Sequence, residues 1–165
     1  MTQNTAVITG GNKGIGADLA QALLARNYKV ISVARRTPGF THANLSALEV
    51  DLLVPDAVTD AATQLASDHK ITHLIHNAGL IWPNLVEDTK PTDITGLAQL
   101  HLGSALTLLQ AALPNMKERG FGRVMFNASR AALGAPTRTA YSASKAGMIG
   151  MARTWALELA GHGIT

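Results

Sequence analysis

The chain has 165 residues, 47% of them hydrophobic and 15% charged, with a formal net charge of +3 and no cysteine. This composition argues against an intrinsically disordered chain, and the lack of cysteine excludes disulfides, thiol catalysis and cysteine-ligated metals. Its basic residues are scattered and only 4% of residues are aromatic, so no nucleic-acid partner is predicted.

The first elements predicted along the chain are a strand, a glycine-rich loop and a helix. Residues 1–4 leave no room for a signal peptide, which favours a cytoplasmic location. Thr5 to Thr9 are apolar and β-branched, which is typical of a buried strand, and apolar residues recur at helical spacing from Leu19 to Leu24. The glycines between them allow a tight turn and a close approach of the backbone to a pyrophosphate, whose oxygens the helix N-terminus would bind.

The loop from Gly10 to Gly16 is therefore a candidate nucleotide site. Its glycine spacing differs from the G-x-G-x-x-G fingerprint, so this interpretation depends on the flanking strand and helix. The alternative is a glycine-rich turn without a ligand. The candidate cofactor contacts in the loop are Gly10, Asn12, Lys13, Gly14, Ile15 and Gly16.

The second predicted strand, Lys29 to Ala34, is followed by two arginines at the place where folds of this kind read the cofactor ribose. No acidic residue occurs from position 19 to 48. An acid there would bind the 2′-hydroxyl of NAD, whereas Arg35 and Arg36 can pair with the 2′-phosphate of NADP, and Lys13 adds a further positive charge. The sequence favours NADP(H). The alternative is that both arginines are solvated loop charges.

The rest of the chain alternates predicted strands with predicted helices. They are a strand at about 47–50, a helix at 55–67, a strand at 71–76, a long helix at 91–119, a strand at 123–127 and a helix at 139–160. Strands that alternate with helices pair in parallel through right-handed crossovers. We therefore expect an α/β fold, a Rossmann-like doubly wound parallel sheet with helices on both faces, formed by residues 1–165 as a single domain.

The least polar stretch, residues 94–113, has the length of a membrane span. It ends at Pro114 and is interrupted by Gln99, His101, Ser104 and Gln110. These polar residues favour a long packed helix, and no membrane partner is predicted.

Three polar side chains near the C-terminus form a candidate catalytic group. Tyr141 and Lys145 are four positions apart on a predicted helix, so they share one face, and a nearby cation favours the ionised form of a phenol. Ser129 follows the fifth strand and could hold a substrate oxygen. This group suits proton transfer at a carbonyl or alcohol oxygen, with the hydride supplied by a nicotinamide cofactor. The structural alternatives are that Tyr141 is a half-buried aromatic residue at a helix start and that Ser129 is a cap or turn residue.

Two histidines, His73 and His76, could suggest a metal. They are three apart on a predicted strand and so point to opposite faces, and no metal site is predicted.

Together these motifs resemble the short-chain dehydrogenase/reductase family, and the resemblance extends from Thr5 to the end of the chain. The matching positions are Thr9, Gly10, Gly14, Ile15 and Gly16, Asp51 after the third strand, Asn77, Ala78 and Gly79 after the fourth, Ser129 after the fifth, and Tyr141 with Lys145. The five motifs occur in the family's order, which makes the match specific.

The resemblance implies a role for each motif. Tyr141 would be the general acid and base, Ser129 would orient the reacting oxygen, and Lys145 would bind the nicotinamide ribose and favour the phenolate. The cofactor would further contact Asp51 and Leu52 near the adenine, and Asn77, Ala78 and Gly79 at the central turn. A basic residue just before the second loop glycine, here Lys13, and another just after the second strand, here Arg35, resemble the pattern of the NADP-preferring branch of the family.

The sequence departs from the family at two places. Family members usually carry asparagine where this chain has His101, which either takes part in proton transfer or fills space. The family also continues beyond position 165 with the nicotinamide wall, a substrate lid and the last strands. Gly161 to Thr165 reads as a helix stop followed by the start of a strand, so the chain is interpreted as truncated before the last two strands.

The resulting hypothesis is an NADP(H)-dependent oxidoreductase that interconverts a secondary alcohol and a ketone of a small-molecule substrate. The alternatives are a catalytically inactive NADP-binding regulatory protein and an inert fragment. Small and apolar residues on the helices at about 91–119 and 139–160 predict a homodimer or homotetramer formed through these helices, with internal packing as the alternative.

Overall fold

The computed structural model describes residues 3–165, so Met1 and Thr2, part of the segment considered too short for a signal peptide, lie outside the described residues. Within this range the strands and α-helices are β1 (Thr5–Thr9), α1 (Gly14–Leu24), β2 (Lys29–Ala34), β3 (Leu45–Glu49), α2 (Pro55–Asp68), β4 (His73–His76), α3 (Pro91–Ala98), α4 (Ser104–Arg119), β5 (Arg123–Phe126) and α5 (Thr139–Leu159).

All five strands are parallel and lie in the order β3-β2-β1-β4-β5. One face of the sheet packs against α1 through Ile8, Val30 and Ile75, while α2, α4 and α5 cover the other face. The alternation of apolar strands with amphipathic helices produces this arrangement, because each side of a parallel sheet must be buried. The expected doubly wound Rossmann-like fold is confirmed.

The strand order reverses at β1, which pairs with β2 on one side and with β4 on the other. Connections from these two strands leave the sheet in opposite directions, which opens a crevice at their carboxyl ends. Gly10 follows β1 directly and Asn77 follows β4 directly. The fold therefore places two separate sequence motifs at one crevice.

The predicted long helix at 91–119 has the expected extent, but its hydrogen-bonding pattern changes in the middle. Residues Gln99–Gly103 form a π-helical segment between α3 and α4, which the sequence analysis did not predict. Pro114 lies inside α4, and the helix ends at Gly120 in the left-handed region, with φ 60°. Within residues 3–165, no helix combines the length and apolar character required to cross a bilayer.

The C-terminal residues return to the sheet. After α5 and a 3₁₀ turn, Ile164 forms a parallel bridge with Gly122 beside β5. The Val124 amide donates to the Thr165 carbonyl at 2.8 Å, and the Thr165 amide donates to the Gly122 carbonyl at 3.0 Å. The strand start expected after Gly161 is thus present as a short pairing with β5.

Candidate active site

A cleft of about 560 Å³ opens at the carboxyl ends of β1, β2 and β4. The predicted cofactor residues on its wall are Gly10, Asn12, Lys13, Arg35, Arg36, Asp51, Leu52, Asn77, Ala78 and Gly79. Gly14, Ile15 and Gly16, which were predicted with them, form the first turn of α1 beside the cleft. Motifs separated by up to 69 positions in the chain therefore meet at one site.

The loop geometry explains why glycines are needed. Gly10 and Gly14 have φ 68° and 52°, in the left-handed region that favours glycine. A Cβ on Gly16 would overlap the carbonyl oxygen of Gly10, so α1 can start this close to β1 only without a side chain there. Within the described residues, the first turn of α1 has neither a side-chain cap nor an acid. Its amide groups can therefore bind an anion, and the loop fits a pyrophosphate.

The cleft wall is positively charged at the end of β2. Lys13, Arg35 and Arg36 have exposed side chains there. Among the described residues of the wall, Asp51 is the only acid, and its Oδ1 accepts a hydrogen bond from the Leu53 amide at 3.0 Å. The other oxygen of this carboxylate, Oδ2, can accept a hydrogen bond from a ligand. The three cationic side chains suit the binding of an additional phosphate group.

A chain of hydrogen bonds connects the cleft to α5. Asn77 Nδ2 donates to the Thr9 carbonyl at 3.2 Å, and Asn77 Oδ1 accepts from Asn127 Nδ2 at 2.9 Å. The Asn127 carbonyl in turn accepts from Lys145 Nζ at 2.8 Å. Sequence analysis included Thr9 only as part of the loop motif and missed Asn127, although both lie at strand ends in register with recognised motifs.

Tyr141 and Lys145 come together as their spacing on the helix predicts. Lys145 is only 3% exposed, and its Nζ lies 5.6 Å from the centroid of the Tyr141 ring. Burial lowers the pKa of Lys145 to about 8, because an ammonium loses hydration there. Nζ also lies 3.7 Å from the point where a Cβ on Gly79 would stand, at the edge of the cleft.

A second cavity of about 510 Å³ contains Ser129 and Tyr141. Ser129 Oγ accepts a hydrogen bond from the Ala131 amide at 3.1 Å, so this serine caps the following 3₁₀ turn. The hydroxyl can still donate its own hydrogen to a ligand oxygen. The loop after β4 separates the two cavities, since Leu80 lines the cleft and Ile81 lines the second cavity.

His101 is fully buried beside the catalytic candidates. Its Nδ1 lies 2.8 Å from Ser144 Oγ, and Ser144 donates its hydrogen to the Tyr141 carbonyl at 2.9 Å. Nδ1 must then carry the proton of the ring, which makes Nε2 an acceptor. Nε2 has no hydrogen-bond partner among the described residues. It lies 3.1 Å from the point where a Cβ on Gly79 would stand.

Electrostatics keep His101 neutral. Burial, together with the smaller electrostatic effects of Lys145 and His76, lowers its pKa to about 3. Its ring centroid is 5.7 Å from that of Tyr141, with the planes inclined at 75°. The structure therefore brings His101 into contact with the catalytic group through the π-helical segment.

His76 connects three parts of the site. Its Nε2 donates to the Leu100 carbonyl at 3.1 Å, so Nδ1 is the acceptor, 3.0 Å from the Thr9 hydroxyl. Thr9 Oγ1 also accepts from the amides of Asn77 and Ala78. His73, by contrast, packs its ring against Tyr28. In the described part of the chain, no group of three or more His, Cys, Asp or Glu residues could hold a metal ion.

Comparison with known proteins agrees with this geometry. A sequence model of the short chain dehydrogenase family matches residues 4–165. The chain is 31% identical over 173 residues to the 3-oxoacyl-acyl-carrier-protein reductase FabG of Buchnera aphidicola, covering 100% of this chain and 71% of that protein. It is 35% identical over 162 residues to the 3-oxoacyl-acyl-carrier-protein reductase MabA of Mycobacterium bovis, covering 96% of this chain and 64% of that protein.

A solved short-chain dehydrogenase from Streptomyces avermitilis superposes with a TM-score of 0.92 at 27% identity, covering 100% of this chain and 64% of that one. The sheet order and the glycine loop define a dinucleotide-binding α/β protein. The family match makes the assignment specific: the chain belongs to the short-chain dehydrogenase/reductase family. It spans 62%, 64% and 71% of the length of three curated relatives that are 31–35% identical to it.

Proposed function

We propose that the protein is an NADP(H)-dependent oxidoreductase that interconverts a secondary alcohol and a ketone. One observation carries the proposal: Tyr141 and Ser129 share a cavity, and the buried Lys145 lies between Tyr141 and the nucleotide cleft. The reductase activities named for the FabG and MabA relatives support the same reaction class.

Different residues of the cleft would bind different parts of the cofactor. The loop from Gly10 to Gly16 and the start of α1 would bind the pyrophosphate, and Asp51 with Leu52 would border the adenine. Arg35, Arg36 and Lys13 would bind the 2′-phosphate of NADP. The bound nicotinamide supplies or accepts the hydride at the reacting carbon.

The residues of the second cavity perform the proton chemistry. The Tyr141 phenol donates its proton to the substrate oxygen during reduction and takes it back during oxidation. Ser129 holds the same oxygen with the hydroxyl hydrogen that its capping bond leaves free. The Lys145 ammonium attracts the negative charge that develops on the phenol oxygen, and the unpartnered Nε2 of His101 offers an acceptor for the proton relay beside it.

The same proposal includes a homodimer or homotetramer in the cytoplasm. Apolar side chains are exposed on the two predicted interface helices, at about 91–119, which comprises α3 and α4, and at about 139–160, which is α5. Ile94 on α3, Leu106 on α4 and Leu157 on α5 are 45%, 41% and 86% exposed. Burial of such residues against a second copy would remove apolar surface from water.

Substitution of Tyr141 by phenylalanine tests the mechanism. Because Tyr141→Phe removes the proton donor and keeps the ring that packs on His101, we expect turnover to fall by at least about a thousandfold, with NADPH affinity nearly unchanged. Loss of absorbance at the reduced nicotinamide band, measured with a panel of ketones, gives the rate. Tyr28→Phe, which makes the same change at the Tyr28–His73 contact, is the control and should keep full activity.

Each alternative predicts a different result in this assay. Equal activity in Tyr141→Phe and the wild-type protein would exclude the proposed proton transfer. NADPH binding without oxidation by any ketone would indicate the inactive regulatory protein, and absence of nucleotide binding would indicate an inert fragment.

A further inference from the structure

The cavity that contains Ser129 and Tyr141 carries two positive charges. Arg130 and Arg138 both lie on its wall. The remaining lining residues are apolar or small, and the described wall includes no acid. The cavity also borders the start of α5, whose first turn contains no acidic residue among the described ones, so the helix dipole adds to the positive potential. A neutral ketone needs none of these charges.

Arg138 is fixed in this position by the residue before it. Its Nη1 donates to the Thr137 hydroxyl at 3.0 Å and to the Thr137 carbonyl at 3.4 Å. A guanidinium has five N–H donors in a planar fork, and these contacts occupy only Nη1. The other donors suit the paired oxygens of an anionic group.

The backbone at Thr137 is strained. Its φ is 60°, a conformation that is rare for a β-branched residue. The Thr137 carbonyl accepts a hydrogen bond from the Asn84 amide at 3.2 Å, and Asn84 also forms a backbone bridge with Arg138. Strain of this kind persists where surrounding contacts enforce it, and it is common where a loop must present a functional side chain.

We infer that the substrate carries an anionic oxygen group, a carboxylate or a phosphate, which Arg138 binds with help from Arg130 while its keto group lies at Tyr141 and Ser129. This inference rests on the proposed oxidoreductase function and names its substrate class. In the reduction of a keto acid, the keto carbon gains the hydride of NADPH and the keto oxygen gains the proton of Tyr141. The products are a hydroxy acid and NADP⁺, and the anionic group is unchanged.

Pairs of ketones that differ in charge test the inference in the full-length protein. The probes are acetoacetate with methyl acetoacetate, and dihydroxyacetone phosphate with dihydroxyacetone. We expect kcat/KM for the anion of at least one pair to exceed that of its neutral partner by about tenfold or more, because a hydrogen bond to a charged group contributes about that factor. The pair that shows the preference distinguishes a carboxylate from a phosphate.

Variants then assign the preference to the arginines. Arg138→Gln should reduce the anion-to-neutral ratio about tenfold or more, Arg138→Lys should keep part of it, and Arg130→Gln should reduce it less. Arg26→Gln removes an exposed charge distant from the cavity and is the control for net charge. Unchanged NADPH affinity in Arg138→Gln shows that this variant is folded.

The inference is overturned if neither pair shows a preference for the anion, or if Arg138→Gln keeps the wild-type ratio. Titration calorimetry with acetoacetate and with dihydroxyacetone phosphate, each in the presence of NADP⁺, separates this result from a failure of the proposed function. If no ketone is reduced, binding of an anion that is lost in Arg138→Gln still supports the anion site, and absence of binding overturns it.

Discussion

At the scale of single residues, the site uses its cations in two different environments. Lys13 and Arg35 are exposed on the cleft and remain hydrated until a ligand binds. Lys145 is 3% exposed, and burial lowers its pKa to about 8. An exposed arginine gives specificity through its paired hydrogen bonds, whereas a buried lysine acts through its charge because water does not screen it.

The predicted preference for NADP(H) would depend on Arg35, and it can be measured directly. Because the two cofactors differ only in the 2′-phosphate, Arg35→Ala should weaken NADPH binding about tenfold to a hundredfold and should change NADH binding much less. Fluorescence titration with both cofactors gives the two dissociation constants. Arg26→Ala, an exposed arginine outside the cleft, should alter neither. Equal losses for NADPH and NADH in Arg35→Ala would rule out recognition of the phosphate.

At the scale of elements, sequence periodicity located the strands and helices but not every boundary. β1 and β2 match their predicted limits because all of β1 and all of β2 except Lys29 are buried and mostly apolar. β3 begins earlier than predicted, at Leu45, since it is largely exposed and has no clear apolar pattern. β4 is shorter than predicted and starts at His73.

Other parts of the site could not be inferred from residue types. The π-helical segment Gln99–Gly103 is a change in backbone hydrogen bonding that no residue type in the sequence signals. The contribution of Asn127 comes partly from its carbonyl, which every residue type has. The Tyr141 and Lys145 pair was predictable because helical spacing alone brings these two residues together.

The π-helical segment is held to the sheet by a buried histidine. His76, at the end of β4, donates to the Leu100 carbonyl, which also accepts from the Ser104 hydroxyl at 2.6 Å. These bonds supply partners for a carbonyl within the altered helical turn. Burial and the Lys145 charge lower the pKa of His76 to about 4, so the ring is neutral in the folded protein at pH 7.

The folded protein should therefore lose stability in acid. His76 titrates near its ordinary pKa of 6.5 when unfolded and near 4 when folded, so below pH 6.5 the unfolded chain binds more protons. The free energy of unfolding should fall as the pH decreases from 6.5 to 4, and His76 alone should account for about 3 kcal/mol. His101, with its pKa lowered to about 3, adds to the same trend.

Urea unfolding at several pH values from 7.5 to 4 measures this dependence. His76→Asn replaces the ring with an amide that does not titrate, so its free energy of unfolding should fall less steeply than that of the wild-type protein. His162→Asn removes an exposed histidine and should leave the slope unchanged. A slope in His76→Asn equal to that of the wild-type protein would contradict the assignment.

At the scale of the whole molecule, the outward surfaces differ in their apolar content. α1 contacts the sheet through its buried face, and its outward positions include Asp18 and Gln21, while its exposed Ile15 belongs to the candidate cofactor loop. α5 has its buried residues on the site side, yet Leu157 is 86% exposed, and Leu106 on α4 is 41% exposed. A second copy of the chain that packed on these helices would cover both leucines, whereas isolated exposed leucines are common on any surface.

The oligomer predicted through α3, α4 and α5 can be tested at these exposed leucines. A stable dimer buries about 1,600 Å² in total, so a charge placed at its centre is costly to desolvate. We expect the wild-type protein to sediment as a dimer or tetramer in analytical ultracentrifugation, and Leu157→Glu to shift it toward smaller species. Leu133→Glu makes the same substitution at a leucine that is 90% exposed outside these helices and should keep the wild-type distribution. A wild-type protein that is monomeric at micromolar concentration would exclude the oligomer. Equal effects of both substitutions would show that the interface does not lie on these helices.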